Sequence, residues 1–333
     1  MNLPKFKHLM PSTLNEAVGL LNEKGEKAKI IAGGTDLIVA MKQRTALPDF
    51  LINIERLKDL DSIRSDADDN VIVGSLTTLD TISRSERIRE QFKPLAQAAG
   101  KVASMQIRNV GTIGGNICLN TRCWYYNQSE QWRKSIPRCF KMGGDRCLVI
   151  KKSDKCNAVF LQDTVPALTA LDAVLKIFGK DGERMIPIRE FYNSWGHPPN
   201  LLGPKEILAE VHIPKPAPGS FGIFLKDAPR EVLDFALVNI AILITFREND
   251  DVCEDARIVV GGVTSYPVKS VSGEDVLKGE KITDELINKV AEIVIKDSAL
   301  ISPIWVSPNT RRHMIKVFIK RGLQAAREYG LEN

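Results

Sequence analysis

Apolar and polar positions divide the chain into short alternating pieces. "KFKHLM" reads as a short strand. Thr13 is placed to cap a helix over "LNEAVGLLNEKG", with Glu16 three residues on completing a capping box and Gly25 ending it. "AKIIA" follows as a buried strand, "GGT" as a turn, "DLIVAMKQ" as a helix start and "FLINI" as a further strand. "NVIVGS" is again strand-like, a helix opens near Thr78, and "KPLAQAAGKVA" is another helix. This alternation predicts α/β or α+β architecture.

The periodic signal fades between about 120 and 160. It resumes in "TVPALTALDAVLKIFGKDGERMIPI", which reads as a helix and then a hairpin across "KDGE". Residues 193–219 are rich in Pro and Gly, and their end near "KPAPGS" marks a domain junction. Beyond it lie three strand candidates, "FGIFLKDA", "FALVNIAILITFRE" and "ARIVVGGV". Two helices follow, "DELINKVAEIVIKDSAL" and "TRRHMIKVFIKRGLQAAREYG". The expected division is 1–219 and 220–330, the second an α+β domain.

Composition narrows the function. The 333 residues are 44% hydrophobic and 26% charged, an ordinary globular balance, and long enough for two or three cores. The charge of +5 is spread along the chain with no basic run, which argues against a nucleic-acid partner. The N-terminus lacks the apolar core of a signal peptide, and no apolar run approaches the length of a membrane helix. A cytoplasmic protein with reduced thiols is the expectation.

Two segments carry glycines after apolar runs, "IIAGGTDL" (30–37) and "GTIGGNI" (111–117). Glycine lets the backbone approach a ligand closely, and successive N–H groups can form a nest for a diphosphate. Thr35 and Thr112 add hydroxyls. Neither segment is a G-x-G-x-x-G fingerprint or a Walker A loop.

Five of the six cysteines fall within 118–156. The spacing Cys123-x15-Cys139-x7-Cys147-x8-Cys156 contains no close pair of the kind seen in structural zinc sites or bacterial ferredoxins. Unrelated thiols, zinc and an iron–sulfur cluster all stay open on spacing alone. Arg122, Arg138, Arg146 and Lys155 would suit an anionic cluster, though each reads equally well as a solvated charge. Cys118, after "GGNI" in a supposed strand, reads as a small buried hydrophobe, and Cys253, in "ENDDVCED", as incidental.

"IIAGGTDL", "RNVGTIGGNI", "LQDTVPALTALDA", "EILAEVHIP" and "FGIFLKDAPREVLDFALVNIA" together resemble the FAD-binding medium subunits of the xanthine dehydrogenase family of molybdenum hydroxylases, over essentially the whole chain. The resemblance implies a two-subdomain FAD-binding region of the vanillyl-alcohol oxidase (PCMH-like) type. A CO dehydrogenase flavoprotein-like α+β domain then closes over it. It implies FAD contacts at Ile30, Ile31, Ala32, Gly33, Gly34, Thr35, Asp36 and Leu37, at Thr112, Ile113, Gly114, Gly115 and Asn116, and near Val102. Asp163 and Lys226 match positions beside the isoalloxazine ring; on their own they read as a helix cap and a solvated strand residue.

Most of that family runs almost directly from the second glycine turn to the Asp of "LQD". Here about 40 residues intervene, and "NTRCWYYNQSEQWR" resembles the insertion of 4-hydroxybenzoyl-CoA reductases. That resemblance implies a [4Fe–4S] cluster on Cys123, Cys139, Cys147 and Cys156. The partners it implies are a large molybdopterin-binding subunit and a small [2Fe–2S] subunit in a dimer of heterotrimers. Ferredoxin would be the donor for reductive removal of a para-hydroxyl on another subunit, so no catalytic side chain is expected in this chain. Two alternatives stand beside it. One is an oxidising relative passing electrons from a purine, aldehyde or aromatic substrate to an external acceptor. The other is a nucleotide-binding module with structural zinc.

Overall fold

The computed structural model describes residues 2–230, 232–248, 250–301 and 306–332. Three sheets organise them. The first is a small parallel sheet in the order β1 (Lys7–Leu9), β3 (Phe50–Asn53), β2 (Ala28–Ile31). Helix α1 (Leu14–Lys24) packs on it, burying Ala17, Val18 and Leu21 against Ala28, Ile52 and Ile54. Thr13 caps this helix as expected, accepting from the Glu16 N–H at 3.1 Å. The Glu16 carboxylate, however, accepts from the N–H and hydroxyl of Ser12 rather than from Thr13, so the reciprocal half of the box is shifted by one residue. Helix α2 (Leu37–Lys42) follows directly on the first glycine turn.

The second sheet has five antiparallel strands. They run β4 (Ile63–Ser65), β5 (Val71–Gly74), β8 (Ile207–Ile213), β6 (Val174–Gly179) and β7 (Gly182–Pro187). Strands β6 and β7 form the expected hairpin, with Gly179 opposite Gly182. Helices α3 (Leu79–Arg84), α4 (Glu86–Gln91), α5 (Lys93–Gly100), α6 (Met105–Arg108) and α7 (Ile113–Ile117) lie between β5 and the cysteine-rich stretch. That stretch is irregular apart from α8 (Glu130–Lys134) and one short 3-10 turn. Helix α9 (Thr164–Ala170) is buried along its whole length, and α10 (Ile188–Phe191) follows β7.

The third sheet, β12 (Val268–Lys269), β11 (Cys253–Gly261), β10 (Val238–Phe246), β9 (Ser220–Asp227), carries α11 (Val271–Leu277), α12 (Asp284–Asp297) and α13 (Pro308–Glu332). Strand β10 explains how the halves join. Its even-numbered residues from Val238 to Phe246 enter the core under α12 and α13, whereas Ala241 and Leu243 enter the core shared with α5 and α9. A strand covered on both faces is apolar except where a polar side chain finds a buried partner, which is why "FALVNIAILITF" shows no alternation.

Two expectations need correcting. The second glycine segment is not strand-flanked: it is the single-turn helix α7, capped by Thr112, and Cys118 sits at its C-cap. Cys253 is not incidental in a polar turn, since it opens β11 and is fully buried. Among the described residues no helix is long and apolar enough to cross a membrane.

Candidate functional site

A cavity of about 780 Å³ opens at the end of β2, between the first glycine turn, the second glycine segment and the loop at 229–237, a size typical of cofactor and small-ligand sites. The first glycine turn forms one wall, with all of Ile30, Ile31, Ala32, Gly33, Gly34, Thr35, Asp36 and Leu37 facing it. The backbone is tight here. Gly34 has φ +67°, and a Cβ on Gly33 would lie 1.8 Å from the Val110 carbonyl oxygen. Only glycine fits both requirements. The N–H groups of Gly33, Gly34, Thr35 and Asp36 find no acceptor among the described residues. Four free donors in a turn make a nest for an anion.

The second segment contributes Thr112, Gly115 and Asn116 to the same cavity, together with Val102 and Ala103. Ile113 and Gly114 stand behind this wall instead. Ile113 is buried in the core, and the Gly114 N–H donates to the Ser75 carbonyl at 2.9 Å. The Thr112 hydroxyl accepts from the Gly115 N–H at 3.1 Å, and the Asn116 side chain accepts from the Thr164 hydroxyl at 2.6 Å, which locks α7 to α9.

Asp163 and Lys226 do not line the cavity. They pair with each other behind the wall at Val102, Nζ to Oδ2 at 2.6 Å, with side chains 4% and 6% exposed. Asn239, directly across from Lys226 in the β9–β10 ladder, donates to the other Asp163 oxygen at 2.8 Å. Lys226 also donates to the carbonyl of Lys101 at 2.9 Å. Burial pushes the Asp163 carboxyl up, against the opposing pull of Lys226. Asp163 does stand at the N-cap of α9, but its side chain makes no cap bond, and Lys226 is not a solvated strand residue.

The cysteine stretch borders the cavity on a further side. It leaves and rejoins the fold through one backbone bridge: the Arg122 N–H donates to Val159 O (2.8 Å) and the Val159 N–H to Arg122 O (2.7 Å). The Arg122 guanidinium pairs with Asp36 of the glycine turn and lies 5.3 Å from the Phe235 ring centroid. Its side chain is only 17% exposed, so it is not the solvated charge its setting in the sequence suggests.

Behind Arg122, Cys123, Cys139, Cys147 and Cys156 line one small second cavity with Tyr125, Phe140, Lys141 and Asn157. Cys118 is not part of it and lines the larger cavity, where burial pushes its thiol up to about 12. Burial likewise raises Cys123, to about 11, and Cys156. At Cys147 burial is outweighed by hydrogen bonds, including Asn157 Nδ2 to Sγ at 3.5 Å, and the thiol is shifted down. No three Cys, His, Asp or Glu side chains among the described residues are gathered closely enough for a single metal ion. Tetrahedral zinc at about 2.3 Å from each sulfur would need sulfurs roughly 3.8 Å apart. A polynuclear centre holds its thiolates farther apart because the irons stand between them.

The basic residue buried among these thiols is Lys141, which nothing in its sequence setting singles out. Its Nζ donates to Thr121 O (2.6 Å), Thr121 Oγ1 (2.8 Å) and Asn120 Oδ1 (2.8 Å). Arg138 and Arg146, by contrast, are exposed.

Comparison with known proteins agrees with the sheet arrangement. The family described as the FAD binding domain in molybdopterin dehydrogenase matches residues 4–216, and the CO dehydrogenase flavoprotein C-terminal domain matches 223–326. The chain is similar to the nicotinate dehydrogenase FAD-subunit of Eubacterium barkeri, 30% identical over 291 residues, covering 87% of this chain and 85% of that one. It is also similar to the aldehyde oxidoreductase FAD-binding subunit of Escherichia coli K12, 32% identical over 72% of this chain and 76% of that one. In three dimensions it is similar to carbon monoxide dehydrogenase from Hydrogenophaga pseudoflava, with a TM-score of 0.80, 25% identity and 99% of each chain covered.

Proposed function

The chain belongs to the family of FAD-binding domains of molybdopterin dehydrogenases, and from that membership we propose that it is the flavin subunit of a molybdenum hydroxylase with a second redox centre in its insertion. The observation that carries the second centre is the convergence of Cys123, Cys139, Cys147 and Cys156 on one cavity beside the flavin cavity. FAD exchanges electrons singly or in pairs and a [4Fe–4S] cluster one at a time, so together they supply a relay.

The residues fit FAD. The free N–H groups of Gly33 to Asp36 would take its diphosphate, and Gly115 leaves room for it on the opposite turn. Val102 and Leu237 would exclude water from the rings. The ion pair of Asp163 and Lys226 would hold Lys101 and Val102 in place. The four thiols fit a cluster in number and in sharing a cavity. No catalytic acid or base is needed here, because the substrate would be converted on a large molybdopterin-binding subunit, reached through a small [2Fe–2S] subunit.

The direction of electron flow follows the relatives in the first instance. They carry the names of nicotinate, carbon monoxide and aldehyde enzymes, which supports an oxidising complex discharging through FAD to an external acceptor. A second reading rests on the insertion: reduced ferredoxin feeds the cluster, and the complex removes the para-hydroxyl of 4-hydroxybenzoyl-CoA. We propose a cytoplasmic location under either reading. Anaerobic purification should give a coloured protein with bound flavin and iron in a four-iron ratio; zinc in place of iron would overturn the cluster. Adding NADH and reduced ferredoxin separately to the holoenzyme then separates the directions. Bleaching by ferredoxin alone supports the reductive reading.

A further inference from the structure

Two arginines line the larger cavity, and only one has a counter-charge. Arg122 is paired with Asp36. Arg311, in the first turn of α13, is 2% exposed. Its Nη1 donates to the carbonyl of Ile301 at 2.9 Å, while its Nε has no hydrogen-bond partner and no carboxylate faces it among the described residues. Its neighbours on that wall are the apolar Val149, Val159, Leu161 and Ile301. Burial alone pulls the guanidinium down to about 10.

A buried charge without a partner is strongly unfavourable, and such groups persist where a ligand completes them. The ligand must bring a permanent negative charge into this cavity. The oxidised flavin ring is neutral, whereas the diphosphate of FAD is charged in every redox state. A planar guanidinium also matches phosphate oxygens better than an ammonium does. The thiol cavity is a separate space that Arg311 does not line. We propose that Arg311 is a ligand of the FAD diphosphate, reaching it from the C-terminal domain while the glycine turn holds it from the N-terminal one. One consequence is that FAD ties the two halves of the chain together. This inference rests on FAD occupying the larger cavity.

The test uses the full-length chain stripped of flavin, as wild type, R311M and R311K. Each is titrated with FAD, and its melting temperature is measured with and without FAD. We expect R311M to bind FAD at least tenfold more weakly and to lose most of the FAD-induced rise in melting temperature, with R311K intermediate. Without FAD, R311M should melt no lower than wild type, because an unpaired buried charge has been replaced by an apolar side chain. The proposal is overturned if R311M binds FAD as wild type does. It is also overturned if R311M melts lower without FAD and R311K does not restore affinity, since Arg311 is then a structural residue. A wild-type chain that binds no FAD sinks the flavin assignment itself and not merely this ligand.

Discussion

Asp163, Lys226 and Asn239 show how a single buried ion pair serves this fold. One carboxylate meets a lysine on β9 and an amide on β10, so three elements are fixed at one point behind the cavity wall. Removing one member of such a pair strands the other charge in the core. Asp163→Asn should therefore cost about 3–5 kcal/mol in denaturant unfolding, and the double variant Asp163→Asn with Lys226→Met should recover much of it. Equal loss in the single and double variants would show that packing, not charge, is what the pair contributes. At this scale the sequence was a poor guide. Lys141, Arg122 and Arg311 look like any other surface cation, and only the tertiary fold shows that each is enclosed. The glycine turn, by contrast, was legible, because "AGGT" after an apolar run has few uses other than a sharp turn or a close approach.

Among the elements, the strands of the C-terminal sheet and the long helices were readable because their apolar residues form extended runs or helical stripes. Helix α7 was not, because two of its five residues are glycines, and what holds it is the Thr112 cap and a bond to Ser75 rather than propensity. Helix α11 went unread for a similar reason: seven residues with a glycine inside give no periodic signal. The two glycine segments should respond differently to substitution. Gly33→Val would drive a Cβ into the Val110 carbonyl and should prevent soluble expression. A Cβ on Gly115 meets only the Thr112 hydroxyl, at 3.2 Å, and otherwise faces the cavity. Gly115→Val should fold, with circular dichroism close to wild type, yet retain little flavin; a full flavin complement in that variant would count against FAD lying on this turn.

Over the whole molecule, the larger cavity and the thiol cavity are neighbours that share Cys123, Tyr125 and Asn157 in their walls. Of the four thiols of the small cavity only Cys123 also lines the larger one, so the proposed cluster should be lost without the flavin when a different thiol is removed. Cys139→Ser should remove the broad visible absorbance of the cluster while flavin fluorescence after acid release stays near the wild-type yield. Parallel loss of both would mean that the insertion is needed for the fold. The resemblance to a two-part flavoprotein was visible along the whole chain, because its markers fall in both halves, from the glycine turn at 30–37 to β9 and β10. The shape of the insertion was not, since irregular backbone held by scattered polar contacts leaves no period to read.

The bridge between Arg122 and Val159 closes the base of this segment, and Tyr126 and Arg133 moor it to the carbonyls of Gln43, Arg44 and Thr45. Its two ends emerge side by side, so the host scaffold is spared any change of register, however long the excursion grows. An excursion of this kind can be lengthened or replaced without redesigning either sheet. Grafted into a relative that offers the same mooring carbonyls, the segment should fold, and iron bound by the chimera would test whether its thiols alone suffice to hold the proposed cluster.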